Sequence, residues 1–187
     1  MEMPLVTIFI PTKNRFELFQ RALLSAVAQT YPALQIIVVD DGSTELISGK
    51  NEALCKNYSN VNYIKNEKSV GAAAARNIAI AEAQGEFITG LDDDDAFESE
   101  RISQFVRAWP SSTEMSYLCS CYIFHMKGHK VKRGLRRGKT ITYSSLKLKN
   151  EVGNQIFTKT SYLREVGGYD ESLVACQDYD LWLRMSK

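Results

Sequence analysis

Hydrophobic and polar positions along the chain follow two alternating rhythms. Leu5-Val-Thr-Ile-Phe-Ile10 is a continuous apolar run closed by Pro11, the pattern of a strand covered on both faces. From Phe16 the spacing turns helical, with Phe16, Phe19, Leu23, Ala26 and Val27 on one stripe that ends before Pro32. Gln35-Ile-Ile-Val-Val39 predicts a second buried strand, and it runs straight into Asp40-Asp41-Gly42-Ser43-Thr44. There Gly42 supplies a turn, and Ser43 or Thr44 can cap the following helix. Residues 61–64 form a short third strand. Gly71-Ala-Ala-Ala-Ala-Arg76-Asn77 opens an alanine-rich helix that stops at Gly85. Residues 86–91 make a fourth strand, followed by Asp92-Asp93-Asp94-Asp95 and a helix over 99–109 that Pro110 stops.

Such strand–helix alternation argues for a parallel, doubly wound sheet with right-handed crossovers. After Pro110 the rhythm changes. Residues 115–126 read as one long strand, and Lys127-Gly128-His129-Lys130 turns the chain into a basic, glycine-punctuated segment reaching Lys139. Residues 154–158 form a late strand, Gly167-Gly168-Tyr169-Asp170 a loop, and residues 178–184 a helix. The expected organisation is a nucleotide-type half over 1–110 and a mixed α+β half over 111–187. No repeat or low-complexity linker separates them, so both belong to one domain. The last pattern stops inside a helix without a cap, from which the native chain is expected to continue.

Composition narrows the class. The 187 residues suffice for one α/β domain with a full core, and the 44% hydrophobic and 24% charged content is ordinary for a globular protein. A formal net charge of +1 gives no global field for nucleic acid or an anionic membrane. Cys55, Cys119, Cys121 and Cys176 lack zinc-type spacing, and Cys119 and Cys121 on one strand face read as small core residues. The longest aliphatic runs are of strand length, with no signal peptide or spanning helix, so the expected location is cytoplasmic.

The candidate chemistry centres on Asp92, Asp93, Asp94 and Asp95. Four successive carboxylates repel one another, and a hard divalent cation such as Mn²⁺ or Mg²⁺, shared with substrate phosphates, removes that repulsion. The ordinary alternative is a solvated acidic turn. Position favours the cation, because α/β folds bind ligands at the carboxyl ends of strands. Two further strands end near the same edge, at Pro11-Thr12-Lys13-Asn14 and at Asp40-Asp41, and a parallel sheet gathers all three into one pocket. One carboxylate of Asp40-Asp41 can accept from a base or sugar N–H or O–H; an Asp turn is the commoner role. Arg76, in the first turn of an alanine-lined helix, is either a solvated arginine or a ligand contact made accessible by small neighbours.

Taken together, Val6-Thr-Ile-Phe-Ile-Pro-Thr-Lys-Asn14, Ile37-Val-Val-Asp-Asp-Gly-Ser-Thr44, Gly71-Ala-Ala-Ala-Ala-Arg-Asn77 and Leu91-Asp-Asp-Asp-Asp95 resemble the successive blocks of the family 2 glycosyltransferases of GT-A fold. Gly167-Gly-Tyr-Asp-Glu-Ser-Leu173 and Gln177-Asp-Tyr-Asp-Leu-Trp-Leu-Arg184 resemble the later blocks. The resemblance implies a Rossmann-like mixed sheet flanked by helices. It also implies inverting transfer of a sugar from a nucleotide-diphosphate donor, commonly a UDP-sugar, to an acceptor hydroxyl. Carried over, Asp41 would contact uracil and Arg76 would assist at the nucleotide. Pro11 and Thr12, with Asn14 on the donor side, would shape the nucleobase pocket. Asp92-Asp93-Asp94 would be the DxD motif, with Asp94 on the metal and Asp92 towards the ribose or the metal. Asp178 would be the general base, a role that activates a hydroxyl by roughly 10²–10⁴ in rate. Its ordinary alternative is charge stabilisation at a helix N-terminus. Gln177 stands where the family usually has glutamate.

Leu181, Trp182 and Trp109 read as packing. Lys127, Lys130, Lys132, Arg133, Arg136, Arg137 and Lys139 form the one charge cluster. They are either a solvated hairpin or a surface for an anionic acceptor, such as a lipid-linked glycan at the inner face of a membrane. His125 and His129 flank it without metal spacing. Three other readings compete. A nucleotidyltransferase would show a glycine-rich loop after the first strand, which Pro11-Thr-Lys-Asn-Arg15 lacks. A phosphoacceptor module would need only about 120 residues. The third is a nucleotide-binding domain inactive without a missing C-terminal part.

Overall fold

The computed structural model describes residues 3–109, 115–126, 129–133 and 140–187, with backbone alone for 124–126 and 129–133. In chain order the elements are β1 (Val6–Thr12), α1 (Phe16–Val27), β2 (Leu34–Asp40), α2 (Glu45–Cys55), β3 (Val61–Lys65), α3 (Ala72–Glu82), β4 (Phe87–Gly90) and α4 (Arg101–Ala108). There follow β5 (Tyr122–Met126), β6 (His129–Arg133), α5 (Tyr143–Leu146), β7 (Phe157–Lys159), α6 (Thr160–Glu165) and α7 (Gln177–Met185). The main sheet runs β3-β2-β1-β4-β7, parallel throughout except for β7, which returns antiparallel along β4. β5 and β6 form a separate antiparallel pair.

Strand periodicity divides the core into two layers. Val6, Ile8, Ile10, Ile36 and Val38 point to the face covered by Phe19, Leu23, Ile102 and Phe105 of α1 and α4. Phe9, Ile37, Val39 and Ile88 point to the other, covered by Ala75, Ala79, Leu163, Leu181 and Trp182 of α3, α6 and α7. Both faces are buried, which is why the strands are apolar without alternation. Leu181 and Trp182 are core residues as expected, and Trp109 packs its ring 5.0 Å from Phe87.

Three expectations need correction. β1 continues through Pro11 to Thr12. Leu91 N–H donates to Phe9 C=O on the side where Pro11 lacks its donor, and β4 has already ended there, so no ladder bond is lost. Residues 115–126 are not one strand. Leu118 makes a single bridge with Phe157, and the chain leaves the sheet before β5 begins. Cys121 is therefore exposed, while Cys119 packs against the second layer. Lastly, neither Ser43 nor Thr44 caps α2 through its side chain. Among the described residues no helix is long and apolar enough to cross a membrane.

Candidate functional site

The carboxyl ends of β1, β2 and β4 lie on one edge, as parallel pairing requires, and the loops leaving them are laced together. Asp41 N–H donates to Thr12 C=O at 2.9 Å. Asn14 adopts the left-handed region (φ 56°) and braces two loops. Its N–H donates to Ser43 Oγ at 2.8 Å, and its side-chain oxygen accepts from Thr44 N–H at 2.8 Å. Ser43 is thereby spent on the neighbouring loop instead of on its own helix. Asp40 is fully buried and accepts from Ser43 N–H, Asn51 and Tyr63, which fixes the turn into α2.

Asp41 organises the loop that precedes α3. Its carboxylate accepts from Asn66 (3.1 Å), Ser69 (2.6 Å), Val70 N–H (2.8 Å) and Gly71 N–H (3.0 Å). Burial pushes its pKa up, but these hydrogen bonds outweigh burial and hold it below the ordinary value. Gly42, at φ 74°, lets this loop close in, since a Cβ there would lie 2.6 Å from Ser69 N. With all four acceptor positions engaged, a nucleobase contact at Asp41 must share an oxygen.

The acidic turn closes through Asp95 N–H on Asp92 C=O at 3.0 Å, and its four carboxylates have four different surroundings. Asp92 takes Arg76 on one oxygen (2.9 Å) and Asn154 Nδ2 on the other (2.8 Å). Asp93 is buried, accepts from Thr12 Oγ1 at 2.9 Å and lies 3.3 Å from Arg15. Burial raises its pKa, against the Thr12 bond and the Arg15 charge. Asp95 accepts from Asn154 (3.2 Å) and Gln155 (2.9 Å), and burial raises it as well. Asp94 alone faces water, with its side chain 54% exposed and Arg15 at 3.1 Å. Arg21 donates to its backbone carbonyl.

Asp178 sits in the first turn of α7, across Arg76 from Asp92. Burial pushes its pKa up to about 6, the Arg76 charge and the Tyr169 hydroxyl opposing and the Asp92 charge adding. Burial therefore outweighs the favourable placement of a carboxylate in the first turn of a helix. Its Oδ1 is buried without a partner. Arg76 stays charged, since attraction to Tyr169, Asp92 and Asp178 outweighs burial. It also donates to Gln177 Oε1 at 3.3 Å, so glutamine keeps the contact without a second charge. The Gly167-Gly168-Tyr169 turn docks on α3 through Asn77, which bonds both Tyr169 N–H and Tyr169 C=O at 2.8 Å. Tyr169 lies under Arg76, 5.3 Å from guanidinium carbon to ring centre. Trp182 fixes α7 by donating to Gly153 C=O at 2.9 Å.

Thr12, Arg76, Asp92, Asp93, Asp94 and Asp178 are thus brought to one edge, with Pro11 half-buried in the strand beside them. Asn14 and Asp41 brace the loops beside that edge. Sequence reasoning missed Arg15, Arg21, Asn154 and Gln155. Their signal was weak: two arginines after a strand, and two amides opening one. The basic segment 127–139 and both histidines fall outside the described side chains.

Residues 7–167 match the model of the family described as Glycosyl transferase family 2. The chain belongs to that family. A relative from Escherichia coli K12, "Putative colanic acid biosynthesis glycosyl transferase WcaA", is 36% identical over 185 residues, covering 97% of this chain and 66% of its own length. An uncharacterized glycosyltransferase of Rickettsia bellii is 29% identical over 191 residues, which is 97% of this chain but 27% of that protein. Among solved structures, S. aureus TarS 1-349 in complex with UDP superposes with a TM-score of 0.78 at 20% identity, over 97% of this chain and 55% of its own. The mannosyltransferase PcManGT from Pyrobaculum calidifontis, in complex with GDP-Man and Mn²⁺, gives 0.73 at 19%, over 98% and 52%. These likenesses establish the GT-A fold. The family 2 domain described here spans about a quarter to two thirds of the length of these proteins.

Proposed function

We propose that this family 2 domain carries out inverting transfer of a sugar from a nucleotide-diphosphate donor, with uridine as the first choice of nucleoside, to an acceptor hydroxyl in glycan assembly. The observation that carries the reading is one guanidinium, Arg76, lying between an acidic turn and a lone carboxylate of raised pKa. The carboxylate poised near neutrality suits a general base, and the turn suits a diphosphate. The uridine and guanosine donors named for the structural neighbours agree with the donor class.

In this reading Pro11, Thr12, Asn14 and Asp41 form the walls of the nucleobase pocket, and Arg76 and Asp93 hold the diphosphate edge. A divalent cation, Mn²⁺ or Mg²⁺, fits Asp94, the one carboxylate facing water, with Asp92 beside it. Among the described residues no three His, Cys, Asp or Glu side chains converge as a cage. One or two carboxylates completed by phosphate oxygens is the usual arrangement for such hard cations. Bound there, the cation supplies Lewis-acid neutralisation of the leaving diphosphate. Asp178 takes the acceptor's proton at its carboxylate, and Arg76 keeps that carboxylate available. A nucleotidyltransferase is disfavoured, because family membership extends across both halves and the first loop has no glycine.

Calorimetric titration of UDP, with and without Mn²⁺, on the wild type and on Asp94→Ala tests the reading. Metal-dependent binding lost in the variant is expected. If the folded protein binds neither UDP nor GDP with Mn²⁺ present, the reading is wrong.

A further inference from the structure

Asn154 and Gln155 have no role in the chemistry above, yet both bond carboxylates of the acidic turn. An in-line displacement needs the anomeric carbon between the diphosphate, held at Asp94, and the acceptor hydroxyl, held at Asp178. Asp92 adjoins Asp94 in the turn and shares the Arg76 charge with Asp178, and Asn154 bonds Asp92. Arg76 reaches Asp92 from one side at 2.9 Å, and Asn154 Nδ2 reaches the other oxygen of the same carboxylate at 2.8 Å. In the nucleotide-sugar reading the donor's sugar ring lies beside this group.

Asn154 is exposed on the edge, although its amide nitrogen is committed to Asp92 and Asp95. That commitment fixes the amide plane and turns its carbonyl oxygen away from the carboxylates. Its backbone is equally held. Asn150 Oδ1 accepts from Val152 N–H (3.1 Å) and Gly153 N–H (3.2 Å), and Gly153 C=O accepts from the Trp182 indole of α7. Gln155 Nε2 anchors on Asp95 at 2.9 Å and leaves Asn154 as the outermost amide. A rigid acceptor oxygen beside a carboxylate already oriented by two donors matches the vicinal hydroxyls of a pyranose. Such sites discriminate strongly, because a missing or inverted hydroxyl leaves polar groups unpaired.

We propose that Asn154, oriented by Asp92 and Asp95, reads hydroxyl groups of the donor sugar and so helps set donor specificity. The inference rests on the nucleotide-sugar reading above. Its test separates the sugar from the nucleotide. Dissociation constants with Mn²⁺ are measured by calorimetry for UDP, UDP-glucose, UDP-galactose, UDP-N-acetylglucosamine and GDP-mannose on the wild type, Asn154→Ala and Asn154→Ser, with circular dichroism to check folding. For the preferred donor, the alanine variant is expected to bind about 10-fold more weakly, a hydrogen-bond-sized effect. UDP binding should stay within about 2-fold of the wild type, and the preference between epimeric donors should narrow. Serine, which keeps an acceptor, should recover part of the loss. Equal weakening of UDP and the UDP-sugar in both variants overturns the proposal, since Asn154 then only arranges the carboxylates. Unchanged donor preference overturns it too. Absence of UDP and GDP binding in the wild type is a different result: it removes the nucleotide-sugar reading, and this inference with it.

Discussion

Asp178→Asn should stabilise the protein at neutral pH while disabling it. The carboxylate titrates near 6 in the folded chain against an ordinary value of 3.8, chiefly because burial opposes its charge. Between those values the folded state binds more protons than the unfolded one, so stability falls as pH rises from about 4 to about 6 and levels off above. A difference of about 2 pH units corresponds to about 3 kcal/mol, and residual water at the partly buried side chain lowers this to about 1–3 kcal/mol. Asparagine has nearly the same shape and cannot ionise.

Urea unfolding of the wild type and Asp178→Asn at pH 4 and pH 8 isolates this contribution, because titrating groups that do not interact with Asp178 cancel in the difference. Near pH 4 the proteins should differ only by the amide's altered contacts with Arg76 and Tyr169. On going to pH 8 the variant should gain about 1–3 kcal/mol relative to the wild type. The same change should lower transfer by about 10² or more, the size of a lost general base. In the wild type, kcat/KM should rise with pH through about 6 and then flatten. A wild type that gains stability over the variant on going to pH 8 would mean that Asp178 is net stabilised by its cationic neighbour, and the base assignment would lose its physical support.

Other perturbations probe separate parts of the edge. Arg15→Gln removes the cation lying on Asp94, so Mn²⁺ measured by electron paramagnetic resonance without nucleotide should bind about 2–5-fold more tightly; weaker binding would show that Arg15 holds the turn together. Gln177→Glu adds a carboxylate near Asp178 and should move the kcat/KM inflection upward; no movement would place the side chain farther from the base than its bond to Arg76 implies. Gly168→Ala puts a Cβ 2.5 Å from Asn77 Oδ1 at φ 68° and should cost about 1–3 kcal/mol in urea unfolding, whereas a near-neutral result would mean that the turn is free to shift.

Most of the sheet was legible because its strands are buried on both faces and bounded by turn residues. Residues 34–40 and 87–90 read clearly for that reason. The end of β1 was not legible, since Pro11 is a strand breaker only where a ladder bond is needed, and the length of β4 decides that from elsewhere in the chain. Residues 115–121 misled for the opposite reason: a strand-like composition follows its partner only when the partner stays alongside, and Phe157 pairs with Leu118 alone. In the site, the carboxylates could be found by type. Their division of labour could not, because it depends on partners such as Arg15, Arg76 and Asn154 that only the fold brings to them. Asp41 shows the limit from the other side: its neighbours in sequence allowed an Asp turn or an acceptor for a base or sugar, and it instead accepts from a loop some 25–30 residues later.

Those partners also bear on the two readings of the acidic turn. A solvated turn would hold its carboxylates in water, where four like charges separate and screen one another. Here Asp92 and Asp93 are drawn inward by donors from α3, from the β1 loop and from the chain entering β7, and Asp95 follows. Burial raises the pKa of Asp93 and Asp95, so gathering them costs stability. Replacing the group by neutral residues of similar shape would be expected to strengthen the fold. The chain instead adds Arg15, Arg21 and Arg76 around the turn and leaves one carboxylate, Asp94, facing outward. Three constrained carboxylates framing one accessible carboxylate is an arrangement that stability alone does not explain, and it suits the cation–diphosphate site proposed above.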